Sequence, residues 1–308
     1  MQYVINHKER FDSSLAYILD KLPQSISEKI SMFLENNKIY TINEIRIKAL
    51  STVSLIYNQN NLSTNIYIDE RDMNEIILKL CEGSIYAHIP TIKEGYINVG
   101  KGLRAGVCGK AILTNGQIEG IYNISSINIR LPQKINHAGE FVFNLIKEMA
   151  FQGSILIYSP PGIGKTTILR DLIVRLSNNT AIRYSVIDSR EEITPFLNEK
   201  ITGDIFLTYP KGLAIEIATK SMTPELIICD EITSKDEVNS ILCSVNTGVS
   251  FIATAHAGSF EELCSKVILS PLFSSKVFDI AVGIKRNKQN KFEYKIDRLK
   301  WKLSEAHL

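Results

Sequence analysis

Short apolar runs alternate with helical stretches in the chain from residue 153 onward. A strand that is buried on both faces carries apolar side chains at nearly every position, because helices cover the sheet above and below. Four runs have this form, at residues 155–158, 184–187, 226–229 and 249–253. The pattern predicts a parallel sheet in a doubly covered α/β domain.

The first part of the chain mixes helical and extended segments. Ser25 and Glu28 predict a capping box at the start of one helix. Apolar residues lie on one helical face in two segments, at Ile26, Ile30, Phe33 and Leu34 and at Met73, Ile76, Ile77 and Leu80. Alternation at residues 53–57 and 124–131 predicts strands. We expect a smaller α+β domain at residues 1–135, a linker within 131–139, and the α/β domain at 136–308.

Composition places the chain among soluble globular proteins. Its 308 residues are 44% hydrophobic and 22% charged, which excludes a disordered or fibrous protein. The net charge of +2 is too small to predict a nucleic acid partner from bulk electrostatics. The most basic stretch, residues 285–302, is interpreted as a solvated edge hairpin in preference to a binding surface.

Cysteine spacing and hydropathy bear on the compartment. The five cysteines contain no CxxC pair, which favours small buried thiols in a reducing cytosol over disulfides or zinc. No apolar run approaches the ~20 residues that a spanning helix needs, and no signal-like segment opens the chain. We expect a cytoplasmic protein without direct membrane insertion, which reaches a membrane only through partners.

A phosphate-binding loop follows the first apolar run. The sequence from Ser159 to Thr167 places Gly164-Lys165-Thr166 between a predicted strand and a predicted helix, the context of a Walker A motif. Lys165 is expected to contact the β and γ phosphates and Thr166 to hold Mg²⁺, with ATP as the ligand. The predicted nucleotide-binding residues are Pro161, Gly162, Ile163, Gly164, Lys165, Thr166 and Thr167.

One position departs from the motif, because Ser159 stands where its first glycine is usual. Pro160 and Pro161 have no N–H to donate, so the phosphate donors begin at Gly162, and these positions are intact. Ser159 therefore bears on the geometry of the turn more than on the phosphate contacts.

Two acidic clusters follow predicted strands. Asp230 and Glu231 end the run at 226–229 in the form of a Walker B motif, with Asp230 expected to hold Mg²⁺ and Glu231 to orient or deprotonate the attacking water. Asp188 follows the run at 184–187 and begins a second cluster that includes Glu192. An ordinary charged loop explains that cluster equally well. If it is functional, Glu192 competes with Glu231 for the role of base.

His256 ends the last apolar run, close to Thr254. Either side chain could detect the γ phosphate and report its loss, although a polar residue at a strand end is often a solvated loop. Because the carboxyl ends of parallel strands meet at one edge of a sheet, we expect His256 near the phosphate loop and the acidic clusters.

Taken together, these segments resemble the secretion-type ATPases, and more closely the stage III sporulation protein AA family. The resemblance rests on residues 102–110, 127–130, the Walker A loop, the Asp188 cluster, residues 221–226 before the Walker B strand, and 253–256. The family's acidic cluster has Glu and Ser where this chain has Ser189 and Glu191. That difference bears on the identity of the base.

The resemblance implies a RecA-like P-loop core and a cytosolic ATPase of the mother cell. Its members are expected to form a homo-oligomeric ring, a hexamer, and to work with membrane proteins of a secretion-like channel to the forespore. Nucleotide would then be shared between subunits. Arg104 and Arg130 become candidates to reach a γ phosphate, from the same subunit or a neighbour, or else they form surface salt bridges.

Two other functions stay open. RecA-like cores also serve nucleic acid translocases, although the near-neutral charge argues against one here. The altered acidic cluster keeps a third possibility, a nucleotide-gated scaffold with little hydrolysis.

Overall fold

The computed structural model describes residues 11–58, 60–114, 116–132, 137–179, 181–195, 197, 200–287 and 291–299. The chain divides into two compact units, residues 1–133 and 134–308. The expected domain boundary after residue 135 lies outside the described residues.

The N-terminal unit is built on a six-stranded antiparallel sheet with strand order β3-β2-β1-β6-β5-β4. Its elements are α1 (Ser13–Asp20), α2 (Gln24–Asn36), β1 (Glu44–Lys48), β2 (Ser51–Tyr57), β3 (Asn60–Ile68), α3 (Glu70–Leu80), α4 (Ile85–Lys93), β4 (Tyr96–Gly100), β5 (Leu103–Thr114) and β6 (Gln117–Arg130). Helices and strands are mixed in this unit, as the sequence predicts.

The start of α2 differs from the prediction. The helix begins at Gln24 after Pro23, and no side chain caps it, so the predicted capping box of Ser25 and Glu28 is wrong. Proline fixes its own φ and is followed directly by the first helical turn, which places Ser25 inside the helix. The predicted helix around Met73 begins instead with a true capping box, formed by Asp69 and Asp72.

The C-terminal unit is an α/β structure with a seven-stranded sheet in the order β13-β12-β7-β11-β10-β8-β9. All neighbouring strands are parallel except β12 and β13. Its elements are α5 (Glu140–Glu148), β7 (Ile155–Ser159), α6 (Lys165–Asn179), β8 (Tyr184–Asp188), β9 (Asp204–Leu207), α7 (Lys211–Ile217), a π-helical turn (Ala218–Met222), β10 (Leu226–Glu231), α8 (Lys235–Val245), β11 (Ser250–His256), α9 (Phe260–Ser265), a 3₁₀ turn (Val267–Leu269), α10 (Ser270–Ser274), β12 (Ile280–Arg286) and β13 (Phe292–Arg298).

The four apolar runs are the central strands of this sheet, as predicted. Each strand continues to the polar residues that follow its run, so β7 ends at Ser159, β8 at Asp188, β10 at Glu231 and β11 at His256. Because β7, β11, β10 and β8 are neighbours in that order, these polar ends share one edge of the sheet.

Two hydrophobic layers cover the sheet. Ile155 and Ile157 of β7 point to a layer that includes α5 and α6. Leu156 and Tyr158 of the same strand point to the opposite layer, which includes α7, α8, α9 and α10. A strand buried on both sides requires apolar side chains at consecutive positions, and this explains the continuous runs in the sequence.

Gly139, the residue before α5, packs directly on the backbone of α6. Its N–H donates to Asp171 Oδ2 at 2.7 Å. A Cβ atom at this position would lie 2.5 Å from the nitrogen of Leu172 and 2.7 Å from the oxygen of Ile168, closer than real contacts allow. Only glycine fits here, and α5 therefore starts in contact with the helix that follows the phosphate loop.

The predictions for the cysteines and for the basic C-terminal stretch can be compared with the structure. Cys81 and Cys229 are buried, but Cys108, Cys243 and Cys264 are exposed, so the expectation of buried thiols holds only in part. Residues 285–286 and 292–298 lie in the antiparallel pair β12 and β13 at the sheet edge, and residues 288–290 and 300–302 lie outside the described residues. In the described ranges, no helix combines the length and apolar character that crossing a bilayer requires.

Candidate functional site

The phosphate loop joins the end of β7 to the start of α6. Gly162 and Gly164 have φ angles of 77° and 124°, in the left-handed region that side chains disfavour. A Cβ atom at Gly162 would meet nothing within 4 Å, so the loop is open on that side. The loop thus exposes backbone next to a helix N-terminus, the geometry that binds phosphate.

The β12–β13 hairpin supports the loop from behind. Arg286 Nε donates to the carbonyl oxygen of Ile163 at 3.0 Å. The guanidinium carbon of Arg286 lies 3.7 Å from the centroid of the Phe292 ring, and a Cβ atom at Gly164 would lie 2.8 Å from that ring. This support has no signature in the sequence, because cation–π partners six residues apart form no motif.

Ser159 lies in β7, where the backbone does not need the freedom of glycine. Its carbonyl oxygen accepts from Lys165 Nζ at 3.0 Å and from the N–H of Ala257 at 3.2 Å. Its hydroxyl donates to the carbonyl of Pro160 at 2.9 Å. The serine is therefore accommodated by strand geometry at the position where the motif usually has glycine.

Lys165, His256 and Glu231 form a continuous chain of contacts. Lys165 Nζ is 2.8 Å from His256 Nδ1, and His256 Nε2 is 2.7 Å from Glu231 Oε2. Burial lowers the pKa of Lys165 to about 8, while the charge of Glu231 acts in the opposite direction. Thr254 is buried within β11. The structure thus brings the loop lysine, the Walker B glutamate and His256 together.

Asp230 has a cation partner that sequence reasoning missed. Lys211, the first residue of α7, places its Nζ 2.5 Å from Asp230 Oδ1 and donates to the carbonyl oxygen of Glu231. Glu237 Oε1 also lies 3.7 Å from Lys211 Nζ. Burial raises the pKa of Asp230, and Lys211 partly offsets this. No motif marks Lys211, since its contact depends on the fold of α7 against β10.

The second acidic cluster is organised by Asp188. Its buried carboxylate accepts from the N–H groups of Glu192 (2.8 Å), Ile193 (3.0 Å) and Thr194 (2.8 Å), and from the Thr194 hydroxyl (2.8 Å). The carbonyl of Glu192 accepts from Arg170 Nε at 3.1 Å and Nη2 at 2.6 Å. Asp188 therefore closes a turn, and Glu192 is held through its backbone.

The donor set fits Mg²⁺ and a nucleotide. The partly buried hydroxyls of Thr166 and Thr167 lie in the first turn of α6, and Asp230 supplies a carboxylate at the neighbouring strand edge. Oxygen ligands of this kind suit Mg²⁺, which takes its remaining ligands from phosphates and water. The described residues contain no cluster of three or more His, Cys, Asp and Glu side chains that could hold a metal alone.

Arg104 and Arg130 lie in the N-terminal unit. The guanidinium of Arg104 is 4.8 Å from the ring centroid of Tyr96. Arg130 is 78% exposed, and its Nε lies 3.4 Å from Glu44 Oε1. These contacts are local to that unit, and a contact of either arginine with phosphate stays a prediction.

Comparison with known proteins identifies relatives that match most of the chain. A family profile described as "Sporulation stage III, protein AA" matches residues 19–293. The Stage III sporulation protein AA of Bacillus subtilis (strain 168) is 29% identical over 284 residues, covering 88% of this chain and 91% of the relative.

Several solved structures resemble this chain in fold. The ATPase DotB of Legionella pneumophila aligns with a TM-score of 0.56 at 15% identity, over 87% of this chain and 79% of DotB. The pilus retraction motor PilT, crystallised with ADP, aligns with a TM-score of 0.59 at 13% identity, over 88% of this chain and 83% of PilT. The predicted fold class, a RecA-like P-loop core, is confirmed.

Proposed function

Because the chain belongs to the stage III sporulation protein AA family, we propose that it is an ATP-hydrolysing subunit of a secretion-like complex in the mother cell. It drives or gates a channel to the forespore through nucleotide-dependent motion of its domains. The observation that carries this proposal is the convergence of Lys165, His256, Glu231 and Asp230 at the end of a phosphate loop.

Lys165 has the role of phosphate ligand. Its ammonium is turned inward, on the carbonyl oxygens of Ser159 and Pro160 and on His256. Incoming phosphates replace these neutral acceptors with anionic ones, so binding draws the ammonium out of the loop. Thr166 and Asp230 would hold the Mg²⁺ of a bound nucleotide, which would neutralise phosphate charge.

Glu231 has the role of base or of water-orienting residue. Its carboxylate is held by His256 at 2.7 Å, and the same imidazole contacts Lys165. When Lys165 moves to the phosphates, His256 loses one partner, and Glu231 is released or reoriented as a result. His256 thereby reports the state of the γ phosphate to the Walker B strand.

The assembly that we propose is a homo-oligomeric ring, hexameric by resemblance, which is cytoplasmic and reaches the membrane through the membrane proteins of the complex. Arg104 and Arg130 approach the γ phosphate from the same subunit or from a neighbour. Nucleic acid is not a partner in this proposal. The relative from Bacillus subtilis supports the sporulation context, and the fold of DotB and PilT supports the motor.

The test measures ATPase rate against protein concentration, with molecular mass by light scattering, for the wild type and Lys165→Ala. We expect a rate per subunit that rises with assembly and that Lys165→Ala abolishes. Lys147→Ala, at an exposed lysine of α5, is the matched control and should retain turnover. Turnover by a monomer would remove the shared site, and absence of turnover at any concentration would favour a scaffold.

A further inference from the structure

Lys211 is a buried lysine at the end of the Walker B strand, where it contacts Asp230 and the backbone of Glu231. Its side chain is only 8% exposed, although a lysine on the first turn of a helix could readily extend into solvent. An ammonium is strongly hydrated, and its burial is costly unless charges and hydrogen bonds replace the water. Here Asp230, Glu237 and the carbonyl of Glu231 supply that replacement.

Both halves of the acidic pair are therefore neutralised by the protein itself. Lys211 pairs directly with Asp230, and Glu231 is linked through His256 to Lys165. The two lysines differ in one respect. Lys165 contacts neutral acceptors that phosphate can outcompete, whereas Lys211 is enclosed by two carboxylates and a carbonyl oxygen. The ammonium of Lys211 therefore already has charged partners before any nucleotide binds.

We propose that Lys211 is a positioning residue of the proposed ATPase site, a fixed cation with which the metal of the nucleotide must share Asp230. Like charges repel, and two cations on one carboxylate weaken each other's binding. Lys211 thereby limits metal affinity. Its hydrogen bond to the Glu231 carbonyl also fixes the backbone that carries both acidic side chains.

These two effects have opposite consequences when the charge is removed. Loss of the Lys211 cation tightens metal binding, because the carboxylate no longer has an internal partner. Loss of the hydrogen bond slows turnover, because Asp230 and Glu231 are held less well. If Lys211 served stability alone, removing its charge would neither tighten metal binding nor change metal affinity and turnover in these different ways.

The experiment compares Lys211→Met and Lys211→Arg with the wild type. Mn²⁺ affinity is measured at saturating ADP from the paramagnetic resonance signal of free Mn²⁺, and kcat and KM for ATP are measured at saturating Mg²⁺. We expect Lys211→Met to bind Mn²⁺ about threefold more tightly or better, with kcat reduced about tenfold and KM little changed. Lys211→Arg, which keeps the charge, should retain the wild-type Mn²⁺ affinity.

Lys147→Met, at an exposed position of α5, is the matched control and should leave both quantities unchanged. If Lys211→Met does not fold, Lys211→Gln removes the charge while keeping a hydrogen-bond donor, and tighter Mn²⁺ binding is again expected. Wild-type or weaker Mn²⁺ affinity in a folded neutral variant overturns the inference. A wild type that binds Mn²⁺ and ADP without hydrolysis overturns the proposed enzyme instead, and leaves the metal measurement valid.

Discussion

The two acidic clusters of the C-terminal unit end neighbouring strands, yet they are held in opposite ways. Asp188 at the end of β8 accepts three backbone N–H groups and one hydroxyl from residues 192–194. Asp230 and Glu231 at the end of β10 contact side chains instead, Lys211 and His256. The first carboxylate stabilises a turn, whereas Glu231 is connected through His256 to Lys165, a lysine whose neutral acceptors phosphate can replace.

This difference distinguishes two roles of a carboxylate at a strand end, one structural and one functional. Backbone donors are fixed once the chain has folded, so a carboxylate that they saturate has no capacity left for a ligand. A side-chain cation held by neutral acceptors, as Lys165 is, can turn to an anion when a ligand arrives. The partners of a carboxylate, more than its place at the sheet edge, therefore indicate whether it serves the fold or the reaction.

The largest expected effect comes from removing one carboxylate charge from each cluster. Glu231→Gln should lower turnover by about 100-fold or more, the usual contribution of a general base, while ATP binding is retained. Glu192→Gln is the matched control and should stay within about twofold of the wild type, because Glu192 is held through its carbonyl. Steady-state ATPase rates and nucleotide affinities check both. The reverse ranking would assign the base to Glu192.

Removing the charge of Asp188 should lower the stability of the fold. Asp188→Asn places an amide where four donors converge, and we expect the free energy of unfolding to fall by about 2–3 kcal/mol, since hydrogen bonds to a charged group are lost. Asp204→Asn, at an exposed position of β9, is the control and should change it little. Urea denaturation measures both. An unchanged midpoint for Asp188→Asn would contradict a structural role.

A smaller effect concerns the cation of Lys165. Its pKa of about 8 without ligand must rise when phosphates bind, so binding takes up a proton above that pH. ADP affinity should then be nearly constant below about pH 7 and about tenfold weaker at pH 9 than at pH 7.

Lys165→Arg keeps its charge throughout this range and should remove the pH dependence. Titration calorimetry in buffers of different ionisation enthalpy measures both affinity and proton uptake. Equal pH dependence in the wild type and Lys165→Arg would show that another group is responsible.

The parallel strands and their polar ends were predictable, because burial on both faces leaves a continuous apolar run that the sequence displays. The contact of Lys211 with Asp230 was not, since α7 begins about twenty residues before Walker B and carries no motif. The role of Asp188 was equally hidden, because its partners are backbone N–H groups that every residue type except proline has. Sequence thus predicts which elements meet at the edge, while the partners depend on local backbone geometry.

Gly139 has a consequence for how variant libraries of this protein are interpreted. In a screen that scores only sporulation, every substitution there should fail as completely as one at Lys165, because a Cβ atom would collide with the backbone of α6. The two positions would share one phenotype for unrelated reasons. Sorting the same library by the amount of soluble protein would separate them, since variants at position 139 would be lost before assembly and variants at position 165 would accumulate without working.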